Sequence, residues 1–505
     1  MDVLALISPA FFGLVAAGTV VGIFFGAIPG LTATMAVAVC LPLTYSMGLG
    51  TGLAFLLGLY VGGISGGLVP AVLLNIPGTP SSIATTFDGY PMARRGEGER
   101  ALKIGICASL FGGLFSLVVL YLFAPPLADF AIKFSFVEKF LIILLALTLL
   151  AALGSGMLTG LFSGVLGMFV SLVGVYDINN GGNGDIRLVP GFLETWLESG
   201  FSLLPVLIGV FGLTAVLIEA EHGVREDAAT KKLLLASGKP FRLSVFRGQW
   251  VNLLRSSAIG TFVGLLPGIG GSAASILAYS QEKTFNRKEP DAFGKGAPSG
   301  IIASESANNG LTGGALIPLL SLGIPGDATT AILIGAFTLQ GIQVGPLFIG
   351  DNPGVWQAIV IAMLFANLCM VLVMLFAIRP IARVVMVPKY LLLPIILMMC
   401  VVGAYTINSG VMFDVWTMLA FGVFGWLIYK LRLDMAPFVI GFILGPSAEV
   451  YFVKSLESFG TLTIFFTKSW IAMLLWVLIL ASVTASVAIA RAGARRARMA
   501  AAAEA

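Results

Sequence analysis

The sequence predicts an all-α polytopic membrane protein made of two inverted-topology repeats with broken or re-entrant helices. Three observations carry that prediction. Only 11% of the 505 residues are charged and 58% are hydrophobic, whereas a soluble domain carries about 25% charged residues. Prolines, glycines and hydroxyl residues interrupt the apolar runs from within. Two of these interruptions recur, in the same order, in the second half of the chain.

The charge deficit extends along the whole chain, and the mean hydropathy is +1.00, which argues against a soluble domain with a single anchor. A β-barrel would alternate in segments of about ten residues, but runs such as 140–153 and 201–217 are continuous. The 62 glycines point to close helix packing, as does the G-x-x-x-G spacing of Gly18, Gly22 and Gly26 and of Gly260 and Gly264. Cys40, Cys107, Cys369 and Cys400 sit at unrelated spacings in apolar stretches, as small buried hydrophobes do. The single histidine, His222, lies in a polar stretch, so no histidine-based metal site is proposed. There is no G-x-x-x-x-G-K-S/T phosphate loop, so the chain is not itself an ATPase. No nucleic-acid partner is expected.

Hydrophobic sequence begins almost at Met1 without a basic leader, which reads as mature membrane sequence. Residues 1–218 form the first transmembrane half. It contains a charged loop from Asp88 to Lys103, followed by spans near 104–124, 137–153 and 156–175, an exposed Gly/Asn-rich loop at 176–190, and a span near 201–219. A basic connection follows at 219–250, with Arg225, Lys231, Lys232, Lys239, Arg242 and Arg247. Residues 251–490 form the second half, with spans at 355–378, 390–406, 411–429, 434–452 and 469–490. The tail, 491–505, holds four arginines and anchors the end on the cytoplasmic side.

The duplication rests on two motifs. GIFFGAIPGL (22–31) matches GTFVGLLPGI (260–269), aligning Pro29-Gly30 with Pro267-Gly268 at an offset of 238. GGLVPAVLLNIPGTPSS (66–82) matches GALIPLLSLGIPGDATT (314–330), aligning Pro77-Gly78 with Pro325-Gly326 at an offset of 248. The loop after the first IPG motif carries Arg94, Arg95, Arg100 and Lys103, while its counterpart near 338–353 has no Lys or Arg. Conversely, 45–50 is uncharged, while its counterpart holds Lys283, Arg287, Lys288 and Lys295. If basic loops are cytoplasmic, matching loops face opposite sides, which is an inverted repeat. The N-terminus is then external and the C-terminus cytoplasmic.

Proline and glycine free backbone groups that hydrocarbon cannot satisfy, so broken segments belong where protein or a wet cavity surrounds them. The helix starts that follow such breaks present unpaired amides and a positive dipole end, which favour an anion. Hydroxyls follow each break: Thr32 and Thr34, Thr79, Ser81 and Ser82, Ser272, and Thr329 and Thr330. With Asn75, Asn308 and Asn309 they are the candidate substrate ligands, although serine and threonine also bond back to their own helices. Asp327, which stands where the first copy has Thr79, and Glu305 are the candidates for ion coupling. Asp327 would also serve as the N-cap of a helix from Ala328. Glu305 lies only a few residues past a charged loop, which also allows a place near the cytoplasmic entrance. Tyr60 and Tyr279 are assigned to interface or packing. Broken helices also build channel filters, so an anion-selective channel is the alternative. An enzyme is not expected, for want of a catalytic cluster.

The motifs GAIPGLTATMAVAVCLPLTY (26–45), GGISGGLVPAVLLNIPGTPSSIATTFDGYPMARRGEG (62–98), GLLPGIGGSAAS (264–275) and SLGIPGDATTAILIGAF (321–337) resemble the large membrane subunit of the tripartite tricarboxylate transporters, the TctA family. The resemblance covers nearly the whole chain. It implies the translocating subunit of a bacterial inner-membrane importer. Its partners would be a small four-span membrane subunit and a periplasmic solute-binding protein delivering tricarboxylates or related organic carboxylates. It also implies symport with a proton or sodium ion in place of ATP, with no cofactor and no ATPase subunit.

Overall fold

The computed structural model describes residues 6–153, 156–176, 184–222, 239–268, 270–286, 290–384, 389–407, 410–484 and 486–487. The tail arginines and Arg225, Lys231, Lys232, Arg287 and Lys288 lie outside the described residues. The chain divides into two compact units, one within Met1–Ala131 and Leu204–Trp426, the other within Ile132–Leu203 and Leu427–Ala505. Each takes segments from both halves of the sequence.

In chain order the first helices are α1 (Pro9–Ala27), α2 (Ala33–Cys40), α3 (Leu49–Gly66), α4 (Leu68–Leu74), α5 (Ile83–Met92) and α6 (Gly98–Ala131). The second unit's α7 (Phe136–Leu153) and α8 (Met157–Ser171) come next. Leu203–Leu207 and Thr214–His222, α9 and α10, are joined by a π-helical turn. The second half supplies α11 (Trp250–Leu265), α12 (Gly270–Phe285), α13 (Pro298–Leu322), α14 (Ala328–Leu339), α15 (Pro353–Phe376), α16 (Lys389–Ile407) and α17 (Met412–Lys430). The second unit closes with α18 (Met435–Phe459) and the apolar helix Trp470–Thr484. Seven helical segments among the described residues are long and apolar enough to cross a membrane. Leu122, Phe123 and Phe262 are 58, 60 and 61% exposed. Large apolar side chains so exposed in number belong against lipid.

Two expectations change. The charged stretch from Asp88 to Lys103 is helical, not a loop: only Gly96, at φ +82°, breaks it, between α5 and α6. One reason is that Asp88 has a structural task. It is fully buried, and its Oδ1 accepts the amides of Gly294, Gly296 and Ala297 at 2.8, 2.8 and 2.9 Å. Around the Gly/Asn-rich loop, Gly174–Tyr176 and Asp185–Arg187 pair as a two-stranded antiparallel hairpin. Residues 177–183 lie outside the described residues. In the same unit Arg187 makes a bidentate ion pair with Glu449 at 2.6 and 2.5 Å.

The glycines of the first unit set its helix crossings, and they do so twice. A Cβ on Gly22, Gly26, Gly62 or Gly66 would come within 2.2–2.5 Å of the carbonyl oxygen of Leu59, Gly63, Thr19 or Ile23 respectively. At the aligned positions, Gly260, Gly264, Gly310 and Gly314 meet the carbonyls of Ala307, Leu311, Ser257 and Thr261 at 2.1–2.8 Å. All four pairs follow the offsets of 238 and 248. α1 crosses α3 as α11 crosses α13, backbone against backbone.

The IPG breaks are seated the same way. A Cβ on Gly78 would lie 2.2 Å from Gly26 O and 2.7 Å from Gly67 Cα, and one on Gly326 would lie 2.5 Å from Gly264 O and 2.6 Å from Ala315 Cα. These obstacles are backbone and cannot swing aside. Gly78→Ala and Gly326→Ala should each destabilise the protein by about 2 kcal/mol or more and lower its melting temperature in detergent. Gly13→Ala is the control, since nothing lies within 4 Å of its added Cβ. Unchanged melting of both variants would refute the packing.

Candidate functional site

Each first motif ends one helix and starts another. Ile28 is extended, Gly30 turns at φ +94°, and Thr32 caps α2 by accepting Met35 N–H at 3.1 Å. In the second copy Leu266 is extended and Gly268 turns at φ +79° before α12. Gly268 N–H donates to Gly326 O at 2.8 Å, linking the two breaks of that half. In the first half Gly78 N–H donates to Gly67 O at 3.3 Å.

The second motifs end their helices with a left-handed residue, Asn75 at φ +60° after α4 and Gly323 at φ +73° after α13. These positions align at the offset of 248. Asn75 is exposed, and its place in the fold is that of a helix terminator. Asparagine tolerates left-handed backbone better than other non-glycine residues.

Beyond the breaks the halves meet each other. Thr34 Oγ1 and Thr329 Oγ1 are 2.8 Å apart, joining the start of α2 to the start of α14. Ser81 lies against Gly271, whose added Cβ would come 2.3 Å from Ser81 Cβ, joining the start of α12 to the turn before α5. By the alignment Ala33 corresponds to Gly271 and Ser81 to Thr329. The two junctions are therefore counterparts: each sets a first-motif helix start against a second-motif helix start from the other half.

The junctions differ in what fills them. Asp327 N-caps α14 in a full capping box: its Oδ1 accepts Thr330 N–H at 2.7 Å and Thr330 Oγ1–H at 2.8 Å. Its Oδ2 accepts the Tyr60 hydroxyl at 2.8 Å. Tyr60 is fully buried, so beyond the interface or packing place expected of it, it holds Asp327. Tyr279 packs edge-to-face against Phe87 and Phe293. In the other junction Thr79 replaces the aspartate and is hydrogen-bonded to Ser81 and Ser82 hydroxyls, each at 3.0 Å. One helix start is thus occupied by a fixed carboxylate, and the other carries three buried hydroxyls and no charge.

Beside them, α13 carries a polar cluster. Glu305 is fully buried. Its Oε1 accepts Thr85 Oγ1–H at 2.5 Å and its Oε2 accepts Ser109 Oγ–H at 3.1 Å. Ser304 Oγ lies 3.0 Å from Thr85 Oγ1. Asn309 Oδ1 accepts the Ser65 hydroxyl at 2.6 Å. Asn308, one helical turn from Glu305, is fully buried, and neither amide atom has a hydrogen-bond partner of good geometry. No Lys or Arg among the described residues pairs with Glu305 or Asp327. Nor do three or more His, Cys, Asp or Glu side chains gather there as a metal site would require.

The offset of 248 exposes what the fold does not demand. Glu305 corresponds to Leu57 and Thr85 to Leu333, both buried and apolar. The same scaffold therefore packs well with leucine at these places, and the carboxylate in the second half is an added feature. Asn308 likewise corresponds to Tyr60.

Of the predicted ligands, the structure brings Thr34 to Thr329, Ser81 and Ser82 to Thr79, and Thr330 to Asp327. Thr32 caps its own helix, and the Ser272 carbonyl accepts the Ser275 hydroxyl. Thr85, Ser109, Ser65 and Tyr60 were not singled out as ligands from sequence, because each lies in an apolar or small-residue run whose partner is distant along the chain. Glu219 lies near the end of α10, where the basic connection begins. Its carboxylate lies against Gly30, where an added Cβ would come 2.3 Å from Oε2.

Long apolar helices, broken in pairs around buried polar centres, define a multi-pass membrane protein. The chain belongs to the tripartite tricarboxylate transporter TctA family, which matches residues 12–440. That is a family of transporters, each a three-component system with a binding protein and a small membrane subunit. The chain is 35% identical, over 91% of its length and 89% of the relative's, to an uncharacterized 52.8 kDa protein of Agrobacterium vitis from the TAR-I ttuC′ 3′ region. It is 37% identical, over 43% of its length and 89% of the relative's, to an uncharacterized protein from the TAR-II ttuC′ 3′ region of the same organism. No solved structure matches it.

Proposed function

We propose that this chain is the large translocating subunit of a secondary importer in the bacterial inner membrane. It moves tricarboxylates or related organic carboxylates by cation symport, receiving them from a periplasmic binding protein and working beside a small four-span subunit. The two halves act as inverted repeats. Opposite loop charges support that orientation, and the counterpart crossings and junctions support the duplication.

The anion is held at the junction of Thr79, Ser81 and Ser82 with the start of α12, where amides and hydroxyls offer donors without a fixed cation. Such a site binds carboxylate and still releases it. At the opposite junction Asp327 already takes the donors of α14, so that side holds the scaffold. Glu305 carries the coupling proton or sodium ion. The observation that bears most weight is this buried carboxylate, ringed by hydroxyls, without a cationic partner, at a place where the other repeat has leucine. An isolated charge so buried costs several kcal/mol. It must therefore be neutralised by a mobile cation.

The test is uptake into vesicles with the partner subunits and the binding protein present. Ser81→Ala/Ser82→Ala should reduce uptake about tenfold or more and leave insertion and melting temperature near wild type. Adding Thr329→Ala, which parts the opposite junction from Thr34, should reduce it further. Saturable wild-type transport by the correctly inserted variant would reject the site. Saturation and counterflow are expected of the carrier; a channel would show neither.

A further inference from the structure

A polar cavity lies away from the breaks, at the end of the first unit where the basic connection meets the helices. It encloses about 670 Å³ and is lined by Arg100, Arg247, Arg255, Asn252 and Asn286, with Glu282 on one wall. Three guanidinium groups therefore face one space beside a single carboxylate. Two of them have partners: Arg100 pairs with Glu97 and Arg255 with Glu282. Arg247 makes no ion pair among the described residues. Arg255 Nε is buried without a hydrogen-bond partner.

The backbone adds to the same field. The cavity wall includes Gln249, Val251 and Asn252 at the start of α11, and Pro298 and Ser299 at the start of α13. These are the positive ends of helices of 16 and 25 residues. The asparagine amides are already engaged. Asn252 Nδ2 donates to Gln249 Oε1 and Ser299 O at 3.0 Å each, and Asn286 Nδ2 donates to Glu282 Oε1 at 3.1 Å. What remains for a ligand is charge and the forked guanidinium donors, which suit a phosphate.

The rim decides which phosphate. Val251 and Phe285, both on the wall, are 72% and 62% exposed, and Trp250 and Leu254 beside them are 63% and 48% exposed. The Arg255 guanidinium lies over the Phe285 ring at 5.1 Å. A polar chamber with an apolar, aromatic lip is the composition of a membrane interface. A small free anion or a tricarboxylate would make no use of the apolar lip.

We propose that this cavity binds the phosphate headgroup of an anionic phospholipid from the leaflet that bears the 239–250 segment. The glycerol lies at the rim and the acyl chains run along Val251, Leu254 and Phe285. The site is separate from the transport path and does not depend on which carboxylate is carried. It would tie the starts of α11 and α13 to the membrane surface and make stability depend on lipid charge.

The test is native mass spectrometry of the full-length protein in detergent, offered equimolar phosphatidylglycerol and phosphatidylcholine. The wild type should retain phosphatidylglycerol with a preference of about tenfold or more, and that lipid should raise its melting temperature. Arg247→Gln leaves every ion pair of the cavity intact and should lower the preference several-fold. Arg247→Gln/Arg255→Gln should abolish it. Arg383→Gln, which removes the same charge elsewhere, should change nothing. Equal retention of the two lipids, or a preference untouched by Arg247→Gln, would overturn the proposal. So would displacement of the lipid by millimolar inorganic phosphate, which would make this a site for free anions.

Discussion

Glu305→Gln should abolish cation-driven accumulation of the carboxylate, lowering the initial uptake rate on the order of 100-fold, the upper range of coupling between two ligands. The amide keeps the size of the side chain; its oxygen can still accept from Thr85 and its NH2 can donate to the Ser109 hydroxyl, which turns to accept, so insertion and melting temperature should stay close to wild type. It cannot take up a proton or offer a charge to sodium. Counterflow, which exchanges substrate without net movement of the coupling ion, should survive better than net uptake. Glu305→Leu tests the same point through the scaffold, because Leu57 occupies that place in the other half. It should insert, although Thr85 and Ser109 lose their acceptor, and it should fail to accumulate substrate. Normal uptake with an unaltered cation-response curve in Glu305→Gln would remove this residue from the coupling mechanism.

Much of the architecture was legible because membranes impose simple rules. Broken backbone cannot face lipid, so Pro29-Gly30 and Pro77-Gly78 marked an interior before any coordinates. Their recurrence at Pro267-Gly268 and Pro325-Gly326 pointed to the crossings of α1 with α3 and α11 with α13. The individual roles were less legible. Asn75 reads in sequence as a polar ligand because asparagine both bonds ligands and ends helices. Only its counterpart, Gly323, shows that the position requires left-handed backbone. Tyr60 and Asp327 are 267 residues apart, and no local pattern joins them. The Glu305 cluster draws on three helices, and Thr85 and Ser109 resemble ordinary back-bonding residues until the carboxylate is placed between them. The Asp88 clamp on residues 294–297 was invisible for a different reason: a run of charges reads as a solvated loop, and here one of them is fully buried by the turn it binds.

Asp327→Ala should be the most destabilising single change at the junctions, and the reason separates Asp327 from Glu305. Losing an N-cap costs about 1 kcal/mol, with a range of roughly 0.5–2. Here the loss also strands the buried Tyr60 hydroxyl, and an unmet buried polar group costs about 1–3 kcal/mol more. The sum, about 1.5–5 kcal/mol, is large enough to lower the melting temperature and surface expression clearly. Tyr60→Phe leaves the cap in place but strands the buried Oδ2 of Asp327, so it should cost about 1–3 kcal/mol, less than Asp327→Ala. Asp327→Asn keeps a good N-cap and should restore most of the stability lost in Asp327→Ala. Because Asp327 serves as the N-cap of α14, a place that asparagine fills as well, Asp327→Asn should also keep the wild-type cation response. A weakened cation dependence in that stable variant would show that Asp327 shares the coupling ion with Glu305. Loss of uptake in Asp327→Ala with an unchanged melting temperature would show that it does more than hold α14 in place.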